Sequence, residues 1–135
     1  MIIHTANCKL RPFESDDVDN FYAMVHDDVI KEYVPYVYCK NRHDAKISVQ
    51  DYMNGDCKND FYLVIVKDDI IVGCIIAVRT KELTLDVSVC VNKRDRGKGI
   101  MLEALEGFIL WLKTYTEYQN LEMTININNE SYNIL

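Results

Sequence analysis

Apolar and polar positions alternate cleanly over residues 83–91: Leu83, Leu85, Val87, Val89 and Val91 share one face, while Thr84, Asp86, Ser88 and Cys90 share the other. A period of two predicts a half-buried strand. Residues 100–113 switch to helical spacing, with Met101, Ala104, Leu105, Phe108 and Leu112 forming one stripe. Gly107 inside that helix costs about 1 kcal/mol against alanine, so it marks a close packing contact. Leu121, Met123, Ile125 and Ile127 then alternate as a further strand, and Asn128 onward reads as the opening of another helix.

Upstream, residues 2–11 read as one strand ended by Pro12, which has no N–H to give a ladder. Ser15 is placed to cap a helix, with Asp16 and Asp17 complementing its positive start. Val18, Phe21, Tyr22 and Val25 follow on one face of that helix. A short helix is expected over residues 29–34, stopped by Pro35, and a third over residues 44–54 with Gly55 as its terminal signal. Residues 61–67 and 70–80 are rich in β-branched residues and flank Asp68-Asp69, a hairpin signature. The expected order is strand, helices, three strands, helix, strand, helix start. This is a mixed α/β (α+β) architecture with helices on a mainly antiparallel sheet.

Composition narrows the function classes. The 135 residues are 49% hydrophobic and read as a single domain over residues 1–135, with no linker or repeat. A net charge of −6 is the wrong sign for a nucleic-acid footprint and suits a cationic partner. The first residues lack the basic region and long apolar core of a signal peptide, and the longest clean apolar run, residues 70–78, is too short to span a bilayer. The expectation is a soluble cytoplasmic protein with no membrane partner. Five cysteines, at 8, 39, 57, 74 and 90, show no metal-ligand or C-x-x-C spacing, and His4, His26 and His43 add none. They read as reduced thiols, and no metal is expected.

The informative segment is Lys93-Arg94-Asp95-Arg96-Gly97-Lys98-Gly99-Ile100, between the alternating strand and the amphipathic helix. Gly97 and Gly99 let the backbone turn sharply and bring its N–H groups close to a ligand. At a helix start these donors have no partner, and the helix dipole adds positive potential. Lys93, Arg94, Arg96 and Lys98 add charge of the same sign. A diphosphate is the fitting guest. G-x-x-x-x-G-K-[ST] is absent and G-x-G-x-x-G is not met, so neither nucleotide fingerprint applies. The bland alternative is a solvated basic turn.

Arg94-x-x-Gly97-x-Gly99 resembles the Q/R-x-x-G-x-G/A acetyl-CoA motif of the GNAT superfamily of N-acetyltransferases. Four further segments resemble, in order, the branch containing ribosomal-protein N-acetyltransferases. They are Cys8-Lys9-Leu10-Arg11-Pro12-Phe13, Val72-Gly73, the helix start Gly99-Ile100-Met101-Leu102-Glu103-Ala104-Leu105, and Asn128-Asn129-Glu130-Ser131 against its N-x-x-S signature.

The resemblance implies transfer of acetyl from acetyl-CoA directly to an amine in a ternary complex. Arg94, Arg96, Gly97, Lys98, Gly99, Ile100 and Met101 would hold the diphosphate, with Asn128 and Ser131 also in the cofactor site. The pantetheine would pair along residues 89–91, contacting Val89 and Val91, and an N–H at Val89 or Cys90 would polarise the thioester carbonyl. Asp86 is the candidate base, sharing a face with Ser88 and Cys90; the alternative is an ordinary solvent-facing carboxylate. Tyr33, Tyr36 and Tyr38 fall where related proteins build the acceptor pocket, or else simply pack a loop.

Relatives continue beyond the N-x-x-S helix, so the resemblance predicts a sheet lacking the last one or two strands. It also predicts a homo-oligomer that covers the exposed edge. Two further readings compete with the enzyme: a non-catalytic CoA-binding or regulatory remnant, and a protein that keeps only the fold. The glycines and charges of residues 94–99 argue against the last.

Overall fold

The computed structural model describes residues 1–56, 58–125 and 128–133. Its strands are β1 (Ile3–His4), β2 (Lys9–Pro12), β3 (Asp60–Lys67), β4 (Ile70–Lys81), β5 (Thr84–Val91), β6 (Asn120–Ile125) and β7 (Asn128–Asn133). They lie side by side in sequence order in one seven-stranded sheet. All neighbours are antiparallel except β5 and β6, which are parallel. Helix α4 (Ile100–Tyr115) makes that crossover. Helices α1 (Val18–Val25), α2 (Asp28–Tyr33) and α3 (Arg42–Met53) fill the gap between β2 and β3.

The central strands β3, β4 and β5 are largely buried on both faces. Leu63, Ile65, Ile75, Ala77, Leu85 and Val87 pack with Ala104, Phe108 and Leu112 of α4. Val64, Val66, Cys74, Ile76 and Cys90 pack with Phe21, Val25, Ile30 and Val49 of the other three helices. Alternation along each strand thus feeds two cores, and the sheet is the middle layer. On β5 it sends Leu85, Val87, Val89 and Val91 towards α4 and turns the Asp86–Ser88–Cys90 face towards α1–α3.

Several sequence expectations need correction. Residues 2–11 are not one strand but a hairpin, β1–β2, pairing Ile3 with Leu10 and His4 with Lys9. The intervening turn is held from elsewhere: Glu103 of α4 accepts hydrogen bonds from Thr5 Oγ1 (2.5 Å), the Asn7 amide (3.0 Å) and Asn7 Nδ2 (2.7 Å). Those bonds, Thr5 first and Asn7 next, lower the Glu103 carboxyl to about 2. Ser15 is not a cap; Glu14 caps a 3-10 turn over Ser15–Asp17 in a reciprocal box with Asp17. Asp17 also takes a bidentate pair from Arg11, at 2.9 and 3.0 Å. The segment from Asn128 is a strand, β7, paired with β6 along its whole length, not the start of a helix. Leu83 lies in the β4–β5 turn at φ 57°, so the strand begins at Thr84.

Other expectations stand. Asp68 and Asp69 form the two-residue β3–β4 turn with φ of 51° and 63°, a conformation aspartate tolerates. Gly107 is a contact point: a Cβ there would lie 2.6 Å from the Thr5 methyl. Gly73 has no room either, because its Cβ would sit 2.4 Å from the Cys90 carbonyl oxygen.

Candidate functional site

β5 and β6 pair only from Thr84↔Asn120 to Val87↔Met123, and beyond that point they diverge. On its other side β5 stays in register with β4 to Gly73↔Val91, and the Asn92 amide bonds the Val72 carbonyl at 2.7 Å. Bonding direction alternates along an antiparallel ladder. With Asn92 bonded towards β4, Cys90 and Ser88 also bond towards β4. The N–H and C=O of Val89 and Val91 therefore turn to the open side, where β6 has left. Alternation thus settles a choice the sequence left open: the free amide belongs to Val89, not Cys90.

The gap leads to the basic loop. Gly97 and Gly99 sit at φ 77° and 79°, in the left-handed region that disfavours every side chain. A Cβ on either would meet nothing within 4 Å. The fold therefore leaves the space over this corner open. Gly99 is the residue before α4, and no side chain caps the helix. The first partnered amide in the helix is that of Glu103, bonded to the Gly99 carbonyl at 3.1 Å. Among the described residues the amides of Gly97 through Leu102 have no acceptor. Four to six donors at the positive end of a 16-residue helix meet the requirement for a diphosphate.

The charges divide into two groups. The Arg94 and Lys98 side chains are exposed, and both reach Asp95, at 3.3 and 3.8 Å. Arg96 points inward. Its Nε donates to the Val91 carbonyl at 3.0 Å, and Nη2 lies 3.4 Å from Asp27 Oδ2, near enough for charge attraction but poorly aligned for a hydrogen bond. Asp27 caps α2 through the amides of Val29 (2.8 Å) and Ile30 (3.3 Å). Burial raises the Asp27 carboxyl most, but the two amides and Arg96 together outweigh it and leave its pKa lowered. Arg96, counted in sequence as a phosphate ligand, is a brace between β5 and α2. It also occupies the Val91 carbonyl, so only the Val91 amide remains for a strand-like ligand.

Two concavities meet here. One, about 510 Å³, lies against the loop and is apolar beyond it, lined by Ile100, Met101, Leu102 and Leu105. The other, about 370 Å³, lies between β5 and α2, lined by Ile30, Tyr33, Val34 and Tyr36 on one side and Asp86, Ser88 and Cys90 on the other. Val91, Met101 and Met123 belong to both and form the junction.

Asp86, Ser88 and Cys90 therefore come together in one cleft, as their shared strand face requires. Burial first, then the charge of Glu122, raises the Asp86 carboxyl; Glu122 is its cross-strand partner and is itself held by Lys81 at 3.1 Å. Burial and then Asp86 push the Tyr36 phenol upward. The residue as a whole is 62% exposed. Cys90 is only 1% exposed and faces Cys74, whose thiol is raised well above its ordinary value by Cys90 and then by burial. No hydrogen bond links Cys90 to a histidine among the described residues; His26 Nδ1 is engaged with the Cys39 carbonyl at 3.0 Å. Tyr33 and Tyr36 line the cleft, while Tyr38 packs on His26, 5.7 Å between ring centres.

The Asn128 and Ser131 side chains lie outside the described residues. Sequence reasoning missed Val29 and Ile30 of α2 and the adjoining Val34 as cleft wall; their helical spacing was visible, but nothing local showed what they face. Among the described residues no cluster of three or more His, Cys, Asp or Glu could hold a metal ion, and no helix is long and apolar enough to cross a membrane.

Comparison with known proteins agrees with this geometry. Residues 7–133 match the family model described as acetyltransferase (GNAT) domain. No curated protein sequence matches significantly. Among solved structures, an acetyltransferase (GNAT family) from Bacillus anthracis superposes with a TM-score of 0.80 at 19% identity, covering 93% of this chain and 74% of that one. RimL, a ribosomal alpha-N-protein acetyltransferase solved in complex with coenzyme A, gives a TM-score of 0.79 at 13% identity, covering 91% and 73%. An N-acetyltransferase from Staphylococcus aureus gives 0.68 at 21% identity, covering 89% and 74%. At these identities the likeness shows the fold. With residues 7–133 matched by the family model, the chain belongs to the GNAT acetyltransferase domain family.

Proposed function

We propose that the protein is an acetyl-CoA-dependent N-acetyltransferase that moves acetyl to a primary amine by direct attack in a ternary complex. The observation that carries this is the junction of three features. They are a row of unpartnered amides at Gly97–Leu102, a free strand edge at Val89 and Val91, and a separate cleft that meets both at Met101 and Met123. In this reading the diphosphate rests on the amide row, with Arg94 and Lys98 supplying charge. The pantetheine lies along Val89 and Val91.

Asp86 first takes a proton from the bound ammonium and passes it to solvent; the freed amine nitrogen then attacks the thioester carbon, and the Val89 N–H holds the charge that develops on the carbonyl oxygen. The C–S bond breaks, and the thiolate takes a proton from solvent. The amine's surplus proton leaves through Asp86, whose raised pKa suits it to the exchange, with Ser88 beside it. Cys90 forms no covalent intermediate: it is buried, and no base is hydrogen-bonded to it.

The setting is cytoplasmic, and the assembly is a homo-oligomer that covers the outer edge of β7, the last strand of the sheet. A monomeric mass by light scattering would refute the assembly. Calorimetric titration with acetyl-CoA, followed by thiol release over a panel of amines, tests the activity. Tight binding with no release over the whole panel would favour a CoA-binding remnant, and no binding would overturn both.

A further inference from the structure

The cleft between β5 and α2 is chemically one-sided. Its α2 wall is Val29, Ile30 and Tyr33 with Val34 just past the helix, aliphatic apart from one phenol, and its floor is Met123. Among the described lining residues the only carboxylate is Asp86, and none is cationic. Glu122, the other acid facing Asp86, is tied to Lys81 and does not line the cleft.

We infer that the acceptor is a small monoamine whose ammonium sits a few carbons from an apolar, aromatic-sized body, an arylalkylamine. This deepens the acetyltransferase reading and rests on it. The amine end lies at Asp86, below the point where Met101 and Met123 join the two concavities. The body lies against Ile30, Tyr33 and Val34, where burying apolar surface favours binding.

Two competing acceptor classes fit poorly. A polyamine would carry a second ammonium into the α2 wall, where no carboxylate meets it, and an unpaired buried charge is costly. A peptide amino terminus would bring backbone N–H and C=O groups into the cleft. Among the described lining side chains, once Asp86 holds the amine, the Ser88 hydroxyl and the two tyrosine hydroxyls are left to answer them, too few for a peptide backbone. Specificity therefore resides in α2, and the orienting charge in β5.

The test uses the full chain saturated with CoA. Phenethylamine, tryptamine, spermidine and a tetrapeptide with a free N-terminal serine are titrated calorimetrically. Each is then assayed by thiol release with acetyl-CoA. The expected result is a Kd at least about tenfold lower, and a kcat/KM at least about tenfold higher, for the two arylalkylamines.

Val29→Glu places a second carboxylate on the wall at a residue 48% exposed, where the fold tolerates it. It should move the phenethylamine-to-spermidine ratio towards spermidine by at least about tenfold. Preference for spermidine or the peptide, equal rates for all four, no turnover of either arylalkylamine despite CoA binding, or an unmoved ratio in Val29→Glu would each overturn the inference. Failure to bind CoA at all would overturn the acetyltransferase reading, and the inference with it.

Discussion

Gly97 separates two costs that usually travel together. At φ 77° any side chain pays the left-handed penalty, about 1–2 kcal/mol. Because a Cβ there meets nothing within 4 Å, no clash is added. Gly97→Ala and Gly97→Glu should therefore lose the same stability, which for a chain of this size is about 3–5 °C in Tm per kcal/mol.

Ligand binding should split them. A glutamate carboxylate near the loop faces the diphosphate across the space that the ligand needs. At about 4 Å and an effective dielectric of about 20, one pair of like charges repels by roughly 4 kcal/mol, and solvent screening brings this to about 2–4. Calorimetry should show CoA affinity about 30- to 1000-fold weaker for Gly97→Glu than for Gly97→Ala. The difference should shrink as salt rises from about 0.1 M to about 1 M, since the screening length falls from about 10 Å to about 3 Å. Equal affinities for the two variants, or a gap indifferent to salt, would refute an anion at this corner.

Three other substitutions test separate parts of the structure. Asp86 has a raised folded pKa, so at neutral pH its ionised form costs stability. Asp86→Asn should raise Tm at pH 7 while lowering kcat at least about tenfold. Thermal melts should show that gain shrinking as pH falls through the folded pKa and gone below the ordinary value of 3.8, where Asp86 is protonated in both states. Glu103 is the opposite case: its lowered pKa contributes stability above about 4.5 that is lost as pH falls towards about 2. Glu103→Gln should melt earlier than wild type at pH 7 and match it near pH 2. Arg96→Met removes the bond to the Val91 carbonyl and leaves Asp27 without its ion pair, a loss of about 1–3 kcal/mol by chemical denaturation. Its CoA affinity should fall far less than that of Gly97→Glu, because its guanidinium faces the protein.

Where local pattern sufficed, the sequence was readable. The alternation of β5 placed Asp86, Ser88 and Cys90 on one face, and the structure gathers them in one cleft. The two glycines before an amphipathic helix located the amide row. What escaped depends on contacts between distant residues. The break in residues 2–11 is fixed by Glu103, about a hundred positions away, whose bonds to Thr5 and Asn7 hold the turn. β7 is Asn-rich, with weak strand propensity of its own, and forms by pairing with β6. Arg96 looked like its basic neighbours, and only the position of Asp27 reveals its different task. The α2 wall carried a helical signal but no hint that it would lie opposite β5.

The reach of Arg96 from loop to helix has one more implication. α2 is six residues long with only Ile30 buried, too short to hold its place by packing alone. Its first turn is moored to the strand end from which the loop departs, so a push on either bank of the site is felt on the other. Substitutions at Asp27, which lines neither concavity, should therefore weaken affinity for CoA and for the amine together.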